Sequence, residues 1–550
     1  MSGSLVFKSS PVVDDPISTQ YDLVSSGSPI TVPDSFMMIH HGDTYETLQG
    51  LSASIDTLQF GMFRTHDNSA TRWNNIETSD NVFSWTATDA LINAYYARGI
   101  KVMFTIFGTP KFHVKGIPWT ALEVVPLASN VADGSLGYRH PTVNNARRYK
   151  CITAGTCGAT EPTWPATTYF TGFTASWSAG TATINTSGSH GLTTGDVIVV
   201  TGVTPSGYNG TYTLLSGSGT TFTYAIASDP GSFVSTGIYY TTVLDGTVRW
   251  QTNDLETNIY GTTGLASNPY LDKLSRFVTE LTTRYIGKIH YIEVWNEPSF
   301  WDGTSGKPGN GFFKGYAYHL VDMALTIRTA AKAVDPTLKI IGCGFTHAPT
   351  YDWTHAQLFL TTYSIDVDIS KNGRDALDEI SWHRYGGTTK MLDSRNWYDG
   401  TYVSVQGVKT LLTAAGMSTS TPQHLSEWGM FNSLGTGGND ILALSTSERR
   451  DLAIIDMIFM AAIGLQSVGW YVYGHRTGGT LDSTFCGDMI GDTVDNIYGI
   501  RGGVNIAQGL IAGKTIEECT YYIYVSGTHR IRVKIAGRDY WYQLPAGVPY

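Results

Sequence analysis

The chain is poor in cysteine. Its five thiols (Cys151, Cys157, Cys343, Cys486, Cys519) are too few and too dispersed for a disulfide framework or a zinc site. Only Cys151 and Cys157 stand close enough to be weighed as a pair, and their spacing leaves that open. No apolar run approaches the ~18 residues a spanning helix needs, so membrane insertion is not expected. Basic clusters are also missing. The 36 Lys and Arg are scattered among 46 Asp and Glu, for a net charge of −10, which is not the surface nucleic acid requires. Met1–Ser10 lacks the charged-then-apolar order of a secretion signal, so export by that route is not expected.

What is abundant is aromatic. With 14 Trp and 32 Tyr, aromatic residues reach 12%, an excess that suits stacking on flat apolar faces such as sugar rings. At 550 residues the chain can bury a large core, as several domains or as one barrel with additions.

Strand-like and helical patterns alternate at both ends of the chain. Phe36–His40, Phe60–Arg64 and Ile100–Phe107 read as strands, with a helix over Trp85–Arg98 between the last two. Tyr270–Tyr285 carries Leu271, Leu274, Phe277, Val278 and Leu281 on one helical stripe and leads into the strand that ends in "YIEVWNEPSF". A helix near Phe313–Val334 stops at Asp335–Pro336. Strands at Leu338–Cys343, Glu379–Tyr385, Gln423–Glu427 and Ser467–Val472 follow, with helices at Val403–Ala415 and Ser447–Ile463. Eight strands with crossover helices predict a closed (β/α)8 barrel, since parallel neighbours need crossovers and eight strands close the sheet. A doubly wound open sheet is the alternative, but no Gly-rich phosphate turn follows an early strand.

Between the third strand and the helix at Tyr270 lies far more chain than a βα loop uses. Residues 171–250 hold only four charges (Asp196, Asp229, Asp245, Arg249) and short alternating segments such as "DVIVVTGV" and "TTFTYAIA". This predicts an all-β insertion after the third strand, standing beside the C-terminal mouth of the barrel. The alternating stretch "TYYIYVSGTHRIRVKIAGRDYWYQL" predicts a C-terminal antiparallel β domain, to which "SLVFKS" of the N-terminal arm would add. The expected organisation is an arm over 1–33, barrel over 34–111 and 256–515, insertion over 112–255 and β domain over 516–550.

Glu297 follows a strand rich in Ile292, Val294 and Trp295, which places it at the barrel mouth. A carboxyl held there against aromatic rings loses solvation and keeps its proton to higher pH, as a general acid requires. "PQHLSEWGMF" puts Glu427 at the end of a later strand, again before an aromatic residue. Two such carboxylates about 5–5.5 Å apart are what glycoside hydrolysis with retention uses. Alone, either Glu also reads as a helix cap.

"WNEP", "SEWG" and the strand count together resemble clan A of the glycoside hydrolases. "FSWTATDALINAYYARGIKVMFTIFGTP" (83–110) is most similar to the β-xylosidase and α-L-iduronidase family within it, over residues 34–110 and 256–515. The resemblance implies Glu297 as acid/base, Glu427 as nucleophile and Asn296 as a contact to the sugar hydroxyl beside the scissile bond. It further implies Arg64 keeping the nucleophile ionised, His383 and Tyr385 beside it, and Trp470 closing the floor. His66, Asp67 and Trp428 are further candidates for substrate contact. Trp301, Trp353, Trp397 and His347 follow strands and read equally as sugar platforms or loop packing, and His113 reads as a loop residue. Glu293 shares the parity of Glu297 and reads as an interior carboxylate deeper in the barrel. No metal or organic cofactor is implied.

Two stretches of the insertion (189–214, and 161–165 with 245–250) resemble small β modules of bacteriophage tail and receptor-binding proteins. Together the resemblances imply a phage tail-associated depolymerase cutting a bacterial surface or exopolysaccharide, with other tail proteins as partners. It would be carried on the virion and released by lysis. A non-catalytic carbohydrate-binding adhesin and an ordinary bacterial glycosidase are the alternatives.

Overall fold

The computed structural model describes residues 16–40, 59–110, 113, 119–125, 127, 137–142, 148–164, 170–253, 269–298, 313, 315–346, 353–385, 394–429, 445–470, 476–477, 480–481, 500–526 and 528–544. Eight parallel strands close into a barrel: β1 (Met37–Ile39), β2 (Met62–Arg64), β3 (Lys101–Ile106), β4 (Ile289–Val294), β5 (Lys339–Thr346), β6 (Glu379–Tyr385), β7 (Gln423–Gly429) and β8 (Ser467–Trp470). All eight lie where the sequence pattern predicts them. Helices α1 (Thr86–Ala97), α2 (Leu271–Arg284), α3 (Ala317–Val334), α4 (Thr354–Thr361), α5 (Ser394–Ala414), α6 (Thr446–Ala462) and α7 (Ile500–Ile511) complete the described αβ units. Among the described residues no helix is long and apolar enough to cross a membrane.

The strands are built from two side-chain sets of opposite parity. Outward residues such as Phe63, Val102, Ile292, Ile340 and Trp382 are buried under the helices in the main core. Inward, Met38, Met62, Met103, Tyr291 and Ile341 form a separate apolar layer inside the barrel. Two residues further along their strands stand His40, Arg64, Thr105 and Glu293, all buried and all polar. One strand period therefore separates a greasy plug from a charged layer, and that layer faces the C-terminal mouth.

The insertion is a nine-stranded antiparallel sheet. Its order is Phe173–Ser178, Thr181–Thr186, Thr221–Ala225, Gly210–Ser218, Val197–Thr201, Ile238–Asp245, Val248–Asn253, Arg148–Thr153 and Tyr138–Arg139. It has cores of its own, one around Ile184, Ile198, Phe222 and Tyr239, another around Tyr149 and Trp250. Cys151 and Cys157 lie in the second core and are not joined by a disulfide. Burial in that core, beside the Asp245 carboxylate, pushes the Cys157 thiol up to about 12. Glu123, paired with Arg139 of the insertion at 2.7 Å, lies near Tyr316 at the start of α3. Because α3 follows β4, this contact sets the insertion beside the mouth, as its entry from a βα loop requires.

The C-terminal sheet runs in the order Ile17–Val24, Thr515–Tyr524, His529–Ile535, Arg538–Leu544. The N-terminal arm does join it, through Ile17–Val24 paired antiparallel with Thr515–Tyr524 and through Ile30–Thr31. The expected segment "SLVFKS" lies outside the described residues. Arm and C-terminal strands thus make one sheet, which packs Tyr521 edge-on against Phe459 of α6 at 5.9 Å.

Asp245 pins the insertion's second core. It accepts from the indoles of Trp119 (2.7 Å) and Trp250 (2.9 Å) and from the Gly158 amide (2.7 Å). Asp245→Ala orphans one buried and two half-buried donors, and we expect a loss of about 2 kcal/mol from this unit in urea unfolding followed by tryptophan fluorescence. An unchanged midpoint would show that the donors find water.

Candidate active site

Arg64 ends β2 with its side chain wholly buried inside the barrel. Its Nε donates to Glu293 Oε2, its Nη1 to Glu427 Oε1 and its Nη2 to Asn296 Oδ1, each at 2.6 Å. Burial alone disfavours the guanidinium charge, but Glu293 and Glu427 more than offset it and raise the Arg64 pKa. Glu293 takes a second bond from Thr105 Oγ1 at 2.8 Å. Burial pushes its carboxyl up, yet Arg64 outweighs this and holds it at about 2.

The Asn–Glu–Pro turn delivers the other carboxylate. Strand β4 ends at Val294, and Trp295 and Glu297 adopt left-handed backbone (φ 63° and 46°), conformations costly for non-glycine residues. Tertiary contacts hold them there. The Trp295 ring packs against Phe107 at 4.9 Å and edge-on to Phe313 at 5.4 Å, and its amide donates to Ile106 O. The Glu297 amide donates to Gly344 O across to β5. The Glu297 carboxyl is 21% exposed and reaches His383 Nδ1 at 2.8 Å. The same nitrogen is 3.4 Å from Glu427 Oε2. Glu297, His383 and Glu427 each place one donor atom within 4.8 Å of the others, so the two carboxyl groups face each other across one imidazole.

Their surroundings differ. Burial raises Glu297 to about 7, and the nearby His66 and Arg64 pull it back only in part. Burial also lowers His383 to about 3, so it is a neutral imidazole near pH 7 and adds no charge to strip Glu297 of its proton. Glu427, by contrast, takes a charge-assisted bond from Arg64.

No protein-family model matches the chain, and no curated protein does. Among solved structures it is similar to a glucosidase from Croceicoccus marinus, at 11% identity over 93% of this chain and 77% of that one, with a TM-score of 0.43. It is similar to a monomeric beta-xylosidase from Caulobacter crescentus CB15, at 14% identity, 92% and 74% coverage and a TM-score of 0.44. It is also similar to the GH39 enzyme from Xanthomonas axonopodis pv. citri, at 13% identity, 93% and 74% coverage and a TM-score of 0.44. Superposition this loose carries no weight for the chemistry, which rests on the side chains.

Of the residues singled out from sequence, Glu297, Glu427, Asn296, Arg64 and His383 meet in one network. His66 borders it, 4.0 Å from Glu427 Oε1 and 3.1 Å from Asp67, with its Nε2 buried and without a partner. Burial opposes the Asp67 charge, but His66 and His40 hold its carboxylate well below the usual range. Tyr385 lies in β6 two residues past His383, opposite Gly429, but its side chain lies outside the described residues, as do those of Trp301, Trp397 and His347.

Two expectations are corrected. Trp428 and Trp470 are 2% and 0% exposed and pack edge-to-face at 4.7 Å in the core outside the barrel, so neither offers a face to a substrate. Parity is the reason. On β8 it is Gly469 that faces His40 inside the barrel, which turns Trp470 outward. Trp353 is likewise packing, edge-on to Trp382 at 5.6 Å. His113 is no simple loop residue: it is buried and bonds Glu77 at 2.9 Å, in a network completed by Arg276 and Trp73.

Sequence reasoning missed two supports. Glu293 is part of the site through Arg64, though its parity with Glu297 was the available signal. Gly344 has φ +60°, and a Cβ there would lie 2.8 Å from His383 Nε2 and 3.3 Å from Arg64 Nη2, so only glycine leaves room. Two trios offer donors at metal-ligand spacing, Glu297–His383–Glu427 and Glu77–Asp80–His113. In each a guanidinium, Arg64 or Arg276, already supplies the cation.

Glu293→Gln leaves Arg64 short of one buried carboxylate, and we expect about 3 kcal/mol of lost stability at pH 7 in urea unfolding. The Glu293 carboxylate's folded pKa, about 2, lies below its ordinary 4.5. Its contribution is therefore present above pH 4.5 and lost as pH falls through about 2. The wild-type and Gln variant curves should converge on acidification, and parallel curves would reject the ion pair as the source.

Proposed function

We propose that the chain is a retaining glycoside hydrolase acting by double displacement. One observation carries this: two carboxyl groups with donor atoms within 4.8 Å, one raised to about 7 by burial and the other bound to a buried arginine. Retaining enzymes space the pair at about 5–5.5 Å, whereas inverting ones leave about 6.5–9.5 Å for a water.

Arg64 holds Glu427 Oε1, and Oε2, on the side of His383 and Glu297, is the attacking atom. As Oε2 bonds the anomeric carbon, the glycosidic C–O bond breaks and Glu297 gives its proton to the departing oxygen. The Glu297 carboxylate then takes a proton from water, whose oxygen displaces Glu427 and restores both groups. Asn296 turns Oδ1 to Arg64, a pure donor, so its amide NH2 is the group free for a sugar hydroxyl. His66 Nε2 and Tyr385 are proposed as further substrate contacts.

The substrate we propose is a bacterial surface or exopolysaccharide, cut by a depolymerase carried on a phage tail among other tail proteins. Supporting this are the tail-like stretches of the insertion and the proximity of its Glu123 to Tyr316 beside the mouth.

Reducing-sugar release from a panel of capsular and exopolysaccharides tests the reading, and Glu427→Gln should lower it on the order of 10⁴-fold while the protein stays folded. Proton NMR should find the first-formed sugar with its anomeric configuration retained, and an inverted product would overturn the mechanism. The acid must carry its proton, so kcat/KM should fall about tenfold per unit as pH rises past the Glu297 value of about 7. Glu297→Gln should abolish that limb in the residual rate, and a limb that persists would assign it to another group.

A further inference from the structure

The C-terminal sheet has a second face that the catalytic centre does not use. Ile516, Tyr521, Ile531 and Val533 point into the core. The alternate residues point away from it. There Trp541 is 47% exposed and stacks on Tyr522, with ring centroids 5.7 Å apart and planes at 21°. Tyr522 lies 6.3 Å from Tyr524, and the Arg530 guanidinium sits 4.9 Å over the Tyr524 ring. The rings form a continuous strip that ends in a cation–π contact, with the outer side of the Trp541 indole open.

The polar groups around the strip narrow what it can take. Arg530 Nε donates to Gln543 Oε1 at 2.6 Å. Arg532 is paired with Glu518 at 2.9 Å and Asp539 at 2.8 Å, and Lys534 with Glu518 at 3.1 Å. Arg532 and Lys534 are thus matched by acids on the same face, while Arg530 is held by Gln543 and the Tyr524 ring. A nucleic acid would need several unmatched cations rather than one, and a stable protein partner a wider apolar centre than one open indole. A pyranose needs only a flat apolar face for its C–H side and fixed amide and guanidinium groups for its hydroxyls.

We propose that this face is a second carbohydrate site, in which Trp541, backed by Tyr522, stacks a sugar ring of a neutral polymer while Gln543 and Arg530 bond hydroxyls. The site tethers the polymer away from the barrel mouth. The class of ligand rests on the glycosidase reading, but binding is separable from turnover.

Native electrophoresis of the full chain carrying Glu427→Gln, through gels containing soluble arabinoxylan, dextran, pullulan or galactomannan, tests it. We expect at least one polymer to retard the protein, with Trp541→Ala weakening that binding about tenfold and Trp541→Phe retaining most of it. In the active chain, Trp541→Ala should leave kcat/KM on a small aryl glycoside unchanged. Retardation by none of the polymers, or equal retardation of the Ala variant and its parent, overturns the proposal. If the Ala variant is misfolded by circular dichroism, the Phe variant and a Gln543→Ala variant decide. Retardation that depends on Trp541 in a protein that cleaves no glycoside would sustain this site and defeat the catalytic reading.

Discussion

A single buried guanidinium organises this barrel. Arg64 has no access to solvent, and taking such a charge out of water costs several kcal/mol unless close partners repay it. It does so with three bonds of 2.6 Å to side chains from β4, the turn after β4, and β7. The barrel interior is thereby tied across its diameter above an apolar plug of Met38, Met62, Met103, Tyr291 and Ile341. Removing any partner would leave charge stranded in a medium that cannot solvate it, so the positions of Glu427 and Asn296 are consequences of where Arg64 must point.

The same burial separates the two catalytic candidates. Glu427 is bound to the cation, whereas Glu297, one imidazole away, has no such partner and is raised to about 7. A charged His383 between them would erase the difference, but the desolvation that raises the acid also keeps the imidazole neutral, at about 3. One environmental variable, distance from water, sets both Glu297 and His383.

Around this centre the chain adds surfaces rather than altering it. The inserted sheet has its own cores and meets the barrel at the start of α3, so its presence need not disturb the interior layers. The terminal sheet buries one face on α6 and displays aromatic rings on the other. On the proposed reading, catalysis uses the rigid interior and polymer recognition the exposed flat face, so the two fall to different elements.

Much of this was legible from local pattern. Strand count, insertion and terminal β domain follow from periodicity and turn residues, because parity along a strand is a covalent property of the backbone. Glu297 and Glu427 followed from carboxylates at strand ends, and Arg64 and His383 from the family resemblance, with inward parity in their favour. Tertiary structure alone decided which atoms meet. Register shifts at Gly342/Phe345, Trp382/His383 and Leu425/Trp428 re-aim side chains around the site, and no sequence rule announces a bulge. They helped turn Trp428 and Trp470 onto each other in the core, and the closing of the barrel brought Glu293 onto the far side of Arg64. The amino-acid sequence by itself determined the residue types and the faces they occupy, since both are local. Tertiary structure decided pairing, strain at Trp295 and Glu297, and proton affinity, since each depends on burial and on neighbours distant in the chain.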